Sequence, residues 1–285
     1  MKIKEVTRYL ENIAPSMYQE SYDNSGLIVG NLQAKITGVL ICLDSTEEII
    51  DEAKKRGCNL VIAHHPIVFK GLRTFTGKNY VERTVIKAIK NDIAIYAIHT
   101  NLDNVHTGVN AKIAEKIGLV NTRILSPKKN VIKLECMLPV DYSEIIKNQI
   151  FEAGGGLANG MKDVSYASVG AGTLEGDSLP LIKLEILLPI DRKGAIISIL
   201  RKNINKEHFT YHVTEVNEKN PKIGSGMIGE LKEPMKEKNF LEHLKKTMNV
   251  GCVKYTNLLG KNIKKVAVCG GAGGFLLNTA KSAKA

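Results

Sequence analysis

Short apolar runs alternate with amphipathic stretches over the first 120 residues of the chain. The runs rich in β-branched residues predict buried strands at 36–43, 59–63 and 93–98. Apolar positions at helical spacing predict helices at 6–13, from Ser45 or Thr46 to about 57, at 80–90 and at 107–117. Because apolar strands alternate with helices, this region is predicted to be an α/β layer whose parallel sheet is covered on both faces.

A ten-residue segment occurs twice in the middle of the chain, at 132–141 and 182–191, with seven identical positions. Each copy predicts a strand that ends at a proline and is followed by a helix, at 142–153 and 193–203. Further extended segments are predicted at 163–169 and 209–216. Two such units predict a ferredoxin-like duplication.

An apolar strand pattern returns at 264–269, before a glycine run and a helical pattern at 275–280. We therefore predict a split α/β domain with a mainly parallel sheet, formed by 1–127 and 226–285. An inserted ferredoxin-like α+β domain is predicted at 128–225. Because the chain stops within the last predicted helix, we expect 226–285 to be only the start of the C-terminal part of the α/β domain.

The chain carries a net charge of +11, and residues 191–285 hold 18 basic and 8 acidic side chains. One interpretation is a nucleic-acid or other polyanion partner. The interpretation we favour is a set of solvated helix faces, because lysines alternate with glutamates at 232–238 and aromatic residues do not accompany them. No apolar run approaches the roughly 18 residues that a membrane span needs.

The five cysteines, at positions 42, 58, 136, 252 and 269, form no Cys-x-x-Cys pair. An odd number of scattered thiols is typical of a protein from a reducing compartment, so we expect a cytoplasmic location. A zinc site built from cysteines is not expected, because the ligand spacing is absent.

Histidines and carboxylates follow the predicted strands at the point where each strand ends. His64 and His65 come after the strand at 59–63, and His99 and Asp103 come after the strand at 93–98. The carboxyl ends of neighbouring parallel strands share one edge of a sheet, so these side chains are expected to converge. Imidazole and carboxylate are ligands of Zn, Mn, Fe and Ni. Two neighbouring metals could each take one histidine of the pair, with Asp103 as the best bridging candidate.

Several candidate residues keep two interpretations. His99 is either a ligand or a group that orients a ligand or faces the substrate. Asp44 lies on the same rim, and capping of the next helix is an equally good interpretation of it. The glycine run at 270–274 is either an anion cradle or a tight turn that needs small residues. His208, His212 and His243 have no acidic or cysteine partner at ligand spacing and are expected to be structural.

Three segments together resemble the GTP cyclohydrolase I type 2 homologue family, the Nif-three-like proteins. They are 42–48 (CLDSTEE), 59–69 (NLVIAHHPIVF) and 99–103 (HTNLD). The segment 22–27 (YDNSGL) is similar to the N-terminal signature of the family, and 265–271 with Gly274 is similar to the glycine loop in the second half of its sequence. The region 128–225 resembles the extra domain of many bacterial members.

The resemblance implies a toroidal homohexamer with two divalent metal ions per subunit, whose ligands fall on His64, His65 and Asp103. The family also has a histidine and a glutamate ligand near its C-terminus, and we expect this sequence to be truncated before that segment. The resemblance implies a metal-dependent hydrolase of a nucleotide or related heterocycle. The candidates for catalytic residues are His99 and Asp44, because of their positions at the strand ends. The alternative is a non-enzymatic metal-binding or regulatory protein that uses the inserted domain for interaction.

Overall fold

The computed structural model describes residues 1–157, 161–174, 176–203 and 210–285. These residues divide into two compact units, one formed by Met1–Ser126 with Lys222–Ala285 and the other by Pro127–Pro221. The strands are β1 (Gly26–Val29), β2 (Val39–Cys42), β3 (Leu60–Ala63), β4 (Ala94–Ala97), β5 (Leu119–Pro127), β6 (Val131–Pro139), β7 (Ser165–Leu174), β8 (Asp177–Pro189), β9 (Thr210–Glu215), β10 (Gly224–Lys236) and β11 (Asn262–Val268). The helices are α1 (Ile3–Ile13), α2 (Glu47–Lys55), α3 (Tyr80–Lys90), α4 (Thr100–Asp103), α5 (Val109–Ile117), α6 (Ser143–Glu152), α7 (Lys193–Asn203), α8 (Glu237–Thr247) and α9 (Leu277–Ser282).

The first sheet of the split unit has the strand order β1-β4-β3-β2. Strands β2, β3 and β4 are parallel, and Cys42, Ala63 and Ala97 are level with one another across them. Strand β1 pairs antiparallel with β4. The parallel arrangement expected from the apolar runs is therefore present, and the carboxyl ends of the three parallel strands lie at one edge.

Helices cover both faces of this sheet, because successive side chains of a strand point to opposite sides. Ile62 of β3 packs in one cluster with Ile3 of α1, whereas Val61 packs in another with Ile50 of α2 and Val85 of α3. All five side chains are buried. The apolar character of β3 on both faces is explained by this two-sided packing.

The prediction of a mainly parallel sheet holds for the first sheet of the split unit but not for its C-terminal part. Strand β11 lies in a second sheet of order β11-β10-β5 and pairs antiparallel with β10. The second half of β10 contains Lys232 and Glu233, which the charge pattern assigns to a solvated helix face. Those residues belong to a strand instead, and the helix α8 begins only at Glu237.

The unit Pro127–Pro221 contains β6, α6, β7, β8, α7 and β9, with the strand order β7-β8-β6-β9 and antiparallel pairing throughout. The two copies of the sequence repeat form the neighbouring strands β6 and β8, and Glu135 of the first copy lies opposite Glu185 of the second. Ile146 of α6 and Ile196 of α7 are buried in the core beneath the sheet. Residue 209, the start of a predicted strand, lies outside the described residues.

Candidate metal centre

The carboxyl edge of the first sheet gathers three histidines. His64 and His65 follow β3, and His99 follows β4. The ring centroids are 5.0 Å apart for His64 and His65, 5.3 Å for His64 and His99, and 5.5 Å for His65 and His99. One ring nitrogen from each of the three lies within 4.8 Å of the other two. The three histidines therefore lie close together, as expected from their positions at the ends of neighbouring strands.

A backbone carbonyl defines the tautomer of His64. Its Nδ1 lies 2.9 Å from the carbonyl oxygen of Ile98. A carbonyl oxygen only accepts hydrogen bonds, so Nδ1 carries the hydrogen and donates it. In the neutral ring the Nε2 atom then keeps its lone pair, which is the form that binds a metal.

The side chain of His65 is held by Asp44. The Nδ1 atom of His65 lies 2.8 Å from Oδ1 of Asp44, and both side chains are about half exposed. The cap of helix α2 is Thr46, whose hydroxyl oxygen accepts a hydrogen bond from the backbone N–H of Ile49 at 3.4 Å. Asp44 therefore contacts His65 at the rim of the sheet, and the residue that caps α2 is Thr46.

The side chain of His99 is held by a fully buried carboxylate. Its Nδ1 atom lies 2.7 Å from Oδ1 of Asp23. Asp23 also accepts hydrogen bonds from the backbone N–H groups of Thr100 at 3.0 Å and Asn24 at 2.7 Å, and from the Thr100 hydroxyl. Burial opposes ionisation of Asp23, but these hydrogen bonds outweigh it and lower its pKa. The sequence motifs assign no role to Asp23 itself, although it lies in the segment 22–27 that carries part of the resemblance.

The carboxylate of Asp103, on the short helix α4, faces the same cluster. Its Oδ1 atom is buried and has no hydrogen-bond partner among the residues that the structure describes. That oxygen lies 3.9 Å from Nε2 of His64. Burial raises the pKa of Asp103, against the opposing effect of His64 and His99. A buried carboxylate oxygen without a donor is costly, and a cation at this position would satisfy it.

The donor set fits a divalent metal ion. Three imidazoles, each with Nδ1 engaged elsewhere, and one carboxylate oxygen are the nitrogen and oxygen ligands that Zn, Mn, Fe and Ni accept. Hydrogen bonds from the second ring nitrogen to a carbonyl or carboxylate are the usual support of metal-binding histidines. His64, His65 and Asp103 are the residues that could hold a metal, and the orientation of His99 permits it to join them.

A cleft of about 110 Å³ lies beside His99 and Asp103. Tyr22 and Phe275 are two exposed aromatic side chains that line it, and Glu20 adds a carboxylate. Among the described residues that line the cleft there is no lysine or arginine. The cleft therefore presents aromatic and acidic groups beside the histidines.

The glycine run at 270–274 contributes one wall of this cleft, and we refer to it as the glycine loop. Gly271 has a φ of +71°, which favours glycine. A Cβ atom on Gly273 would lie 2.7 Å from Cβ of Cys269. The tight-turn interpretation of this segment is thus supported by its backbone and packing.

Of the three histidines that are expected to be structural, the structure describes two. Nε2 of His243 lies 2.8 Å from the carbonyl oxygen of Ile117, a contact expected of a structural histidine. His212 is on β9, opposite Glu135. His208 lies outside the described residues.

Fold and site together define a mixed α/β protein with a histidine-rich candidate metal centre at the carboxyl edge of a parallel sheet. The family model Duf34/NIF3 (NGG1p interacting factor 3) matches residues 1–285, and the chain belongs to this family. The resemblance drawn from the sequence motifs is thereby confirmed.

Known relatives and a solved structure agree with this assignment. A Staphylococcus epidermidis protein named GTP cyclohydrolase 1 type 2 homolog is 34% identical, over 96% of this chain and 78% of that protein. The Bacillus subtilis protein of the same name is 31% identical, over 98% of this chain and 79% of its own length. A crystal structure of a Bacillus cereus protein related to NIF3 is 33% identical and has a TM-score of 0.86, covering all of this chain and 80% of that one.

In the part of the chain that the structure describes, none of the helices has the length and apolar character needed to cross a membrane.

Proposed function

We propose that His64, His65 and Asp103 bind two divalent metal ions, and that the protein is a metal-dependent hydrolase of a nucleotide or related heterocycle. The observation that carries the metal proposal is the buried Oδ1 atom of Asp103, which faces Nε2 of His64 and lacks a donor among the described residues. The names of the relatives, GTP cyclohydrolase 1 type 2 homologs, support the choice of substrate class.

A bound divalent ion supplies Lewis acidity, which lowers the pKa of water and polarises the bond to be hydrolysed. The residues of the chain would bind the ions, orient the ligands and exchange a proton with the substrate. His64 and Asp103 provide ligand atoms that face each other, and Asp44 orients His65. His99 lines the cleft and is oriented by Asp23, so it is placed to exchange a proton with a substrate there.

We also propose a homohexamer and a cytoplasmic location, with the unit Pro127–Pro221 as a ferredoxin-like domain. The resemblance supports the hexamer, and the five free cysteines are consistent with a reducing compartment. The β-α-β-β-α-β order and the strand order β7-β8-β6-β9 support the domain assignment. Light scattering tests the assembly, because a hexamer has about six times the 31.3 kDa mass of the chain.

Metal analysis of the purified protein tests the metal proposal. We expect about two ions per chain in the wild type and a loss of most of this metal in a His64→Ala/His65→Ala double variant. His212→Ala is the matched control, because its exposed side chain lies on β9 in the other unit. Equal metal in the double variant and the control would contradict the assigned ligands.

Incubation of the metal-loaded protein with GTP, followed by chromatography of the products, tests the hydrolase proposal separately. We expect a ring-opened product that the double variant does not form. A protein that binds metal but gives no product with GTP or other nucleotides would favour a non-enzymatic metal-binding role.

A further inference from the structure

Asn110, at the second position of α5, links two walls of the cleft. Its side-chain Nδ2 donates a hydrogen bond to the carbonyl oxygen of Asp103 at 2.9 Å. Its Oδ1 accepts a hydrogen bond from the backbone N–H of Gly270 at 2.8 Å. Asn110 is only 1% exposed, so its side-chain amide is buried.

The chemistry of this position favours asparagine. A single short side chain must donate to one backbone group and accept from another, and an amide does both. An aspartate would place an oxygen against the carbonyl oxygen of Asp103, and an aliphatic side chain would leave both backbone groups without a partner. The two hydrogen bonds at this position therefore require a side-chain amide.

The glycine loop also packs against α5 at Gly270. A Cβ atom on Gly270 would lie 3.0 Å from Cγ1 of Val109 and 3.5 Å from Cδ1 of Ile113, so this end of the loop lies close to α5. The other end of the link is the backbone of the residue whose buried carboxylate faces the histidines. Asn110 therefore connects the backbone of the loop to the backbone of Asp103.

We propose that Asn110 is a positioning residue, which joins the glycine loop to Asp103 and thereby determines how tightly the centre binds metal. This inference rests on the proposed metal-binding function of Asp103. In this role the side chain of Asn110 forms its hydrogen bonds with two backbone groups and not with the side chain of a proposed metal ligand. It acts through the backbone of Asp103 on one side and the cleft wall on the other.

A second asparagine provides a matched control. Asn59, at the amino end of β3, accepts a hydrogen bond from the backbone N–H of Thr37 at 2.9 Å and donates one to the carbonyl oxygen of Lys35 at 2.8 Å. Like Asn110, it accepts a hydrogen bond from one backbone N–H and donates one to a backbone carbonyl, but at the opposite end of the parallel strands from the histidines. Replacing either residue with alanine removes one amide and adds no charge.

The test compares Asn110→Ala and Asn59→Ala for thermal unfolding and for Zn²⁺ affinity, measured by competition with a chromophoric chelator. We expect both variants to unfold at lower temperature. Zn²⁺ affinity should fall roughly 10–100-fold in Asn110→Ala, the range typical for residues that support metal ligands, and stay within about twofold of wild type in Asn59→Ala. The visible spectrum of the Co²⁺-loaded protein should change only in Asn110→Ala, because it reports ligand geometry.

A milder variant guards against a simple folding failure. Asn110→Ser keeps a hydroxyl that can serve one of the two backbone groups, so its Zn²⁺ affinity should be intermediate. Equal Zn²⁺ affinity and equal Co²⁺ spectra in Asn110→Ala and Asn59→Ala would overturn the inference while leaving the metal proposal intact. Absence of Zn²⁺ binding by the wild type would overturn the metal proposal itself, and this inference with it.

Discussion

The Nδ1 atom of His99 lies 2.7 Å from Oδ1 of Asp23, 76 residues earlier in the chain. The carboxylate is fully buried, and its lowered pKa keeps it ionised. An ionised carboxylate only accepts hydrogen bonds, so Nδ1 of His99 carries a hydrogen and the ring is fixed in one orientation. Asp23, in the segment before β1, thereby determines the orientation of His99, which follows β4.

Asp23→Asn is expected to destabilise the protein by about 1–3 kcal/mol, because an amide presents N–H groups where Asp23 accepts several hydrogen bonds. Urea unfolding measures this cost. The matched variant is Asp44→Asn, since Asp44 holds His65 in an exposed pair and should change stability by at most about 1 kcal/mol. Similar losses in the two variants would mean that the burial of Asp23 has no energetic consequence.

Phe69 is expected to contribute to substrate binding. Its ring centroid lies 6.2 Å from that of His99 and 6.1 Å from that of Tyr22, and 45% of the residue remains exposed. Phe69→Ala should raise KM for a heterocyclic substrate several-fold, because an aromatic face for stacking is lost, with little change in stability. Phe75→Ala is the control, since Phe75 is also exposed. An unchanged KM in Phe69→Ala would remove this residue from the binding surface.

The first sheet and the convergence of its histidines were predictable, because the apolar runs that form the strands are recognisable from neighbouring residues alone. The run 59–63 became β3 (Leu60–Ala63) and the run 93–98 became β4 (Ala94–Ala97), so the residues after them had to meet at one edge. Asp23 and Asn110 were not predictable in these roles, because each has one partner far along the chain, 76 positions from Asp23 and 160 from Asn110. Strand β10 was not predicted for a related reason. Its second half is rich in charged residues, and pairing with β11, a distant segment, stabilises it as a strand.

Glu82 should make stability depend on pH in the acid range. The carboxylate accepts hydrogen bonds from the backbone N–H groups of Thr76, Gly77 and Lys78. Burial alone would raise its pKa, but these contacts outweigh burial and lower the pKa from 4.5 to about 2. The folded state therefore binds its proton less readily than the unfolded state, so the stabilisation is complete above pH 4.5 and is lost as the pH falls toward 2.

Urea unfolding between pH 6 and pH 3 measures this dependence, with Glu82→Gln for comparison. The wild type should be more stable than Glu82→Gln at pH 6, and the difference should narrow as the pH falls below about 4.5. A difference that is constant over this range would show that the ionised carboxylate is not what holds the segment before α3.

Gly30 is expected to tolerate no side chain, because it follows β1 directly and lies against Ala94 of β4. Its φ is +110°, and a Cβ atom would lie 2.5 Å from Cβ and 2.7 Å from Cα of Ala94. Both the conformation and the contact with backbone penalise Gly30→Ala, so we expect a loss of at least about 2 kcal/mol in urea unfolding. Gly71→Ala is the control, since a Cβ atom there would meet nothing within 4 Å and the φ of Gly71 is not in the left-handed region. Equal stability of the two variants would mean that β1 can move away from Ala94 without cost.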